Sequence, residues 1–208
     1  MFSRLEIGSI FCYHNPVMVI TYFGEGCFRL QSGETSILLD PVSNRLKADI
    51  YVRTLTPSEG EDLSLPGVIA FPGEYEMKGI EVEGYGVPAE STAKFLKTAY
   101  AIQWEDVRIV VLGHLSKLPG VEVMEKLGEP DVLIVPVGGG HFLSAEDATK
   151  TIKQIEPSVV IPSFYKNLND FWKAFGHKAS PEEKFVFKKK DLAANTTVVV
   201  PLEAKTSA

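Results

Sequence analysis

Four histidines, His14, His114, His141 and His177, carry most of the near-neutral chemistry this chain of 208 residues can offer. An imidazole titrates near pH 6.5, so it can pass a proton in catalysis or ligate a metal through a neutral nitrogen. His114 follows the apolar run Val110–Leu112 and has two readings, a hydrogen bond to loop backbone or a place in a cleft. His141 follows Gly138, Gly139 and Gly140, which allow positive φ and close backbone approach. A loop of that kind at the end of a strand suits a ligand, and it suits equally a tight turn into a helix capped by Ser144. His14 and His177 read as surface residues. Ser58 and Ser163 supply hydroxyls, but no motif places a base beside either, so a serine-hydrolase reading has no support. Glu74, in PGEYE, reads as a charged turn residue. Cys12 and Cys27 match no zinc-knuckle or redox spacing and are expected to be free thiols.

The elements that must position these residues change character along the chain. Val17–Phe23 and Cys27–Gln31 read as strands joined by the tight turn Gly24-Glu25-Gly26. Thr35–Leu39 is a third strand, ended by Asp40-Pro41, and Ala48–Thr54 a fourth, followed by a polar loop as far as Pro66-Gly67. Val68–Phe71 and Ile80–Tyr85 are strands on either side of PGEYEMKG; Ala99–Trp104 and Arg108–Leu112 follow, with turn chemistry at Glu105-Asp106. The second half alternates strand and helix. Val121–Leu127 is a short helix and Asp131–Pro136 a buried strand. Ser144 caps a helix whose Ala145, Ala148, Ile152 and Ile155 repeat at helical spacing. Ser158–Ile161, the helix Asn169–Phe175, and the strands Lys184–Lys188 and Thr196–Pro201 complete the order. No G-x-G-x-x-G spacing is present, which argues against a dinucleotide fold.

This order, with VITYFGEGCFRL, TSILLDP and ADIYVRTLTPSEG early and DVLIVPVGGG and SVVIPSFY late, resembles the metallo-β-lactamase fold superfamily. It is most similar to the branch of small zinc-dependent hydrolases that includes ascorbate-6-phosphate lactonases. The resemblance implies an α/β fold, a four-layer αββα sandwich of metallo-β-lactamase type, and a dinuclear zinc site whose main cradle is T-H-x-H-x-D-H. The matching residues here are Thr54, Leu55, Thr56, Pro57, Ser58, Glu59 and Gly60. Glu59 stands at the aspartate, and every histidine of the cradle is absent. Phe164 stands where I-P-M-H-Y carries its histidine, and His114 falls in a segment where relatives have Gly-Asp or Gly-His. Asp40-Pro41 resembles the family's D-P pair after the third strand, where it is mainly a structural turn.

Two functions follow as expectations. In the first, the dinuclear site is lost, no metal or other cofactor is bound, and the fold serves binding or assembly. The cleft is then lined by Leu55, Pro57, Phe164 and Tyr165, with a small molecule or a protein as partner. In the alternative, the chain is a metal-dependent hydrolase of an ester, a lactone or a phosphate-bearing small molecule, binding zinc or another divalent metal at a non-standard site of His114, His141, Glu59 and Asp40. A net charge of −6 disfavours nucleic acid and anionic membranes as partners. No apolar run of about 18 residues marks a membrane span, and the N-terminus lacks the apolar core of a signal peptide, so the expected compartment is the cytoplasm. Residues 1–17 read as an N-terminal extension or an extra edge strand through Ile7–Tyr13, and 18–208 as one domain. A homo-oligomer is compatible with the branch resembled.

Overall fold

The computed structural model describes residues 16–59, 65–192 and 196–205. The expected edge strand through Ile7–Tyr13 lies outside them, as do His14, Cys12 and Gly60.

Alternation of apolar and polar residues builds the first sheet. In β1 (Met18–Tyr22) and β2 (Phe28–Ser32) every second residue is buried. They form a hairpin in the register Met18↔Ser32 to Tyr22↔Phe28. Its turn needs positive φ at Gly24, Glu25 and Gly26 in succession, which explains the two glycines. β3 (Thr35–Leu39) pairs antiparallel with β2, and β4 (Ile50–Val52) pairs parallel with β3. The chain then leaves this sheet in β5 (Leu55–Pro57) and returns in β6 (Val68–Ile69), parallel to β4.

The second sheet follows. β7 (Gly73–Met77), β8 (Ile80–Gly86), β9 (Phe95–Trp104) and β10 (Val107–Val111) run as an antiparallel meander. After α1 (Val121–Leu127), strands β11 (Val132–Pro136) and β12 (Val159–Ser163) extend the sheet in parallel, linked by α2 (Ala145–Ile155). α3 (Asn169–Phe175) precedes β13 (Phe185–Phe187), which returns to pair with β1, and β14 (Val198–Val199) closes the second sheet beside β12.

The result is the two-sheet α/β sandwich that the resemblance implies. Apolar residues of both inner faces interdigitate, among them Ile20, Leu30, Ile37, Tyr100, Ile109 and Ile134. The outer face of the larger sheet is covered by the three described α-helices, through Leu127, Ile152 and Phe171, so that among the described residues the α-helical layer of the expected αββα order lies on this side. β11 and β12 are buried along their whole length, as expected of parallel strands with both faces covered. No helix among the described residues is long and apolar enough to cross a membrane.

Two segments differ from the sequence expectation. Gly73–Met77 is an edge strand rather than a turn; its Glu74 and Glu76 face solvent, so no apolar alternation marks it, and Lys78-Gly79, both at positive φ, make the turn to β8. Leu55–Pro57 is not loop but a strand laid antiparallel on Phe95–Lys97 of β9. Thr56 is buried there, its hydroxyl donating to the Ala70 carbonyl at 2.6 Å.

Candidate functional site

Parallel strands deliver their carboxyl ends to one edge of the sandwich, where α/β proteins tend to hold ligands. From the first sheet β3 ends in Asp40, and β4 leads into Arg53 and Thr54. From the second, β10 leads into Gly113-His114 and β12 into Phe164 and Tyr165. Of these, Asp40, Arg53, His114, Phe164 and Tyr165 surround a cavity of about 530 Å³ together with Tyr22, Glu25, Val42, Leu55, Phe142 and Lys166, while Thr54 and Gly113 stand behind its lining.

At its base stands a chain of three groups. Asp40 has φ +39°, and its carboxylate accepts the Thr54 amide at 2.7 Å on Oδ1 and the Thr54 hydroxyl at 2.6 Å on Oδ2. Thr54 Oγ1 lies 2.8 Å from His114 Nδ1, while the direct contact from Nδ1 to Asp40 Oδ2 is 3.6 Å. The hydroxyl has one proton. If it donates to Asp40, Nδ1 must carry the proton that Thr54 accepts, and Nε2 is left with a lone pair. Burial raises the Asp40 carboxyl above its usual range, against the opposing pull of His114 and Thr54. Burial also lowers His114, against Asp40, with Lys97 adding to the depression. The direct Nδ1–Oδ2 contact is longer than a hydrogen bond, so it is Thr54 Oγ1 that links the two groups into a hydrogen-bonded relay. Both side chains line the cavity, and the imidazole, 22% exposed against 8% for Asp40, is the more open of the two.

The loop bearing His114 is fixed from two sides. Gly113, at φ +55°, packs so closely on Thr54 that a Cβ would overlap the threonine side chain. Ser116 gives its amide to Glu90 at 2.9 Å and its hydroxyl to the same carboxylate, which also holds Lys97 at 2.9 Å. Burial alone would raise Glu90, but Lys97 and Ser116 outweigh it and hold the carboxyl below its usual value.

Phe164 forms the wall. It is half-buried with φ +54°, an unfavourable conformation for a side chain of that size. Two glycines hold it: a Cβ on Gly138 would overlap the Phe164 carbonyl, and one on Gly26 would overlap the end of its ring. The ring stacks on Phe142 at 4.2 Å and 20°, and meets His114 at 4.6 Å and 58°.

Asp40, His114, Leu55, Phe164 and Tyr165 are thus brought together. Glu59 is exposed beyond the end of β5 and, like Pro57, does not line the cavity, because pairing with β9 carries this segment away from the edge. His141 is exposed and borders a neighbouring cavity of about 620 Å³, which shares Phe142, Phe164 and Lys166 with the first. Positive φ at Gly139 and Gly140 makes the turn into the Ser144 cap, and Ser144 Oγ accepts the Asp147 amide at 3.1 Å. Ser58 gives its hydroxyl to the Ala93 carbonyl, and Ser163 is buried in β12. Thr54 was legible only as the end of a strand; its place between Asp40 and His114 depends on residues 14 and 60 positions away. Among the described residues, no three His, Cys, Asp or Glu side chains converge as a metal cluster.

Sheets, helices and an edge cavity of this form define a β-lactamase-like fold. The family model described as "Beta-lactamase superfamily domain" matches residues 19–163, and the chain belongs to that family. A UPF0173 metal-dependent hydrolase of Natranaerobius thermophilus is 19% identical over 185 residues, covering 71% of this chain and 83% of its own. Another of that name from Staphylothermus marinus is 28% identical over 106 residues, 51% of this chain and 42% of its own. The crystal structure of a Thermotoga maritima protein assigned as a Zn-dependent hydrolase of the metallo-beta-lactamase superfamily aligns with a TM-score of 0.71 and 25% identity, over 89% of this chain and 100% of that one. These findings correct one expectation. The missing histidines suggested a chain without a metal cofactor, yet its relatives are named for metal dependence, and the hydrolase alternative is the reading they favour.

Proposed function

We propose that this chain is a hydrolase of an ester, a lactone or a phosphate-bearing small molecule held in the Asp40–His114 cavity, working with a non-standard site. The observation that carries the reading is the Asp40–Thr54–His114 relay, which engages Nδ1 of a cavity-lining imidazole and leaves Nε2 outside the relay. Membership of a family whose relatives are named hydrolases supports it.

Chemically, His114 Nε2 takes a proton from water as the water oxygen attacks the carbonyl or phosphoryl centre. The imidazolium so formed donates through Nδ1 to Thr54, and the Asp40 carboxylate 3.6 Å away stabilises its charge. His114 then returns the proton to the leaving oxygen. A divalent metal, when bound, supplies Lewis-acid polarisation and a more acidic water. His114 and Asp40 are the described residues that would hold it. Two donors are short of the three protein ligands a catalytic zinc takes, so the donor set does not fit a zinc by itself, and the proton transfers rest on the relay.

Turnover of a panel of esters, lactones and phosphodiesters, each with and without added zinc or manganese, tests this. We expect hydrolysis that rises with pH through the depressed His114 pKa, below 6.5, and falls at least about a hundredfold in His114→Ala. Full activity in His114→Ala, or no turnover of any class, would overturn it.

A further inference from the structure

We infer that the substrate carries a flat aryl group beside the bond to be cleaved, and that the Phe142–Phe164 wall recognises it. This deepens the hydrolase reading and rests on it for the word substrate; the recognition itself stands on the wall alone.

The wall is built and rigid. Phe164 keeps a left-handed backbone, and the two glycines at positions 26 and 138 leave its ring and carbonyl no slack. A side chain held in one place loses little freedom when a ligand arrives, so contacts made there convert well into affinity. Phe142 lies nearly parallel to it at 4.2 Å. The cavity adds Tyr22, Val42, Leu55 and Tyr165, so most of the surface facing His114 is apolar. Aromatic rings attract a flat partner beyond its burial alone, through offset or edge-on contacts that a puckered aliphatic ring cannot match.

Position links the wall to the chemistry. The His114 and Phe164 rings are neighbours at 4.6 Å between centroids, and His114 and Phe142 at 6.1 Å. An aryl ring on this wall would therefore bring a substituent attached directly to it to the imidazole, whereas a long spacer would carry the linkage past it. Aryl esters and lactones fused to an aromatic ring have this shape.

The probes are methyl ketones, which imitate an ester carbonyl and cannot be hydrolysed. Binding of acetophenone and 2-acetonaphthone is compared with that of cyclohexyl methyl ketone by calorimetric titration of the full chain. We expect the aryl ketones to bind about threefold to tenfold more tightly than the cyclohexyl one. Phe142→Leu and Phe164→Leu, which keep apolar bulk, should bring the ratio near one. Phe71→Ala, exposed and no part of this cavity, should leave it unchanged. A ratio near one in the parent, no binding of any ketone, or a ratio that survives both leucine variants would overturn the inference. The outcomes also separate it from the hydrolase reading. Aryl-selective binding without turnover of any ester sinks the hydrolase and keeps the aryl site. Turnover with no preference for aryl esters does the reverse.

Discussion

Replacing Thr54 by valine tests the relay through stability alone. The side chain is 1% exposed and nearly isosteric with valine, so the substitution opens little space and removes one hydroxyl. That hydroxyl donates at 2.6 Å to a carboxylate buried to 8% exposure and also contacts His114 at 2.8 Å. A hydrogen bond to a charged group contributes about 1.5–3 kcal/mol, and leaving a buried acceptor short of a partner adds to the loss. The Thr54 amide still reaches Oδ1, so Asp40 is not stripped bare. We expect a net cost of about 2–3 kcal/mol at pH 7, or roughly 4–12 °C in melting temperature for a chain of this size. The cost has a pH signature. Burial raises the folded Asp40 pKa above its unfolded value, so this carboxyl destabilises the fold progressively as pH rises from the unfolded toward the folded pKa. Thr54 opposes that rise by holding the ionised form, so its removal should cost most at neutral pH and less as acid protonates Asp40. Urea unfolding of parent and variant at several values between pH 4 and 8 measures both. A loss below about 0.5 kcal/mol, or one equal at all pH values, would refute the argument.

At position 164 glycine should be tolerated as well as alanine or better, because φ +54° penalises any Cβ and glycine ordinarily costs more; paired melts of Phe164→Ala and Phe164→Gly check the order. Gly26→Ala should destabilise by about 1–3 kcal/mol through overpacking on the Phe164 ring and its own φ of +78°. In a Phe164→Ala background the overpacking share should vanish and the backbone share remain, a non-additivity read from a double-mutant cycle. Glu90→Gln should cost about 1–3 kcal/mol at pH 7 by weakening the hold on Lys97 and Ser116. Because the folded Glu90 pKa is depressed, that contribution is full above the unfolded pKa and should disappear as pH falls through the folded one.

Much of the sandwich was legible because period decides it. The alternation in β1, the continuous apolar runs of β11 and β12 and the Ser144-capped helix each have a local signature, and the structure places them within a few residues of expectation. β5 and β7 had none. Leu55–Pro57 is a strand only because β9 offers it an edge, and Gly73–Met77 displays its glutamates on a margin of the sheet. The cavity followed the same division. Asp40, His114 and Phe164 stand at strand ends that the pattern located, whereas Phe142 and Lys166, and the bridging part of Thr54 behind the lining, depend on chain segments distant in sequence. Glu59 was misplaced for a related reason: strand pairing, not motif register, decides where that segment points.

The cavity lies on the seam between the sheets, with Tyr22, Asp40 and Arg53 contributed by one and His114, Phe164 and Tyr165 by the other. A molecule that fills it bridges the two halves, and unfolding must part those halves and expel the guest. Any true ligand therefore raises the melting temperature by mass action, about 2.7 kcal/mol at a hundred times its dissociation constant. A library of small molecules can on that account be sorted by heat alone, before a single reaction product has been looked for.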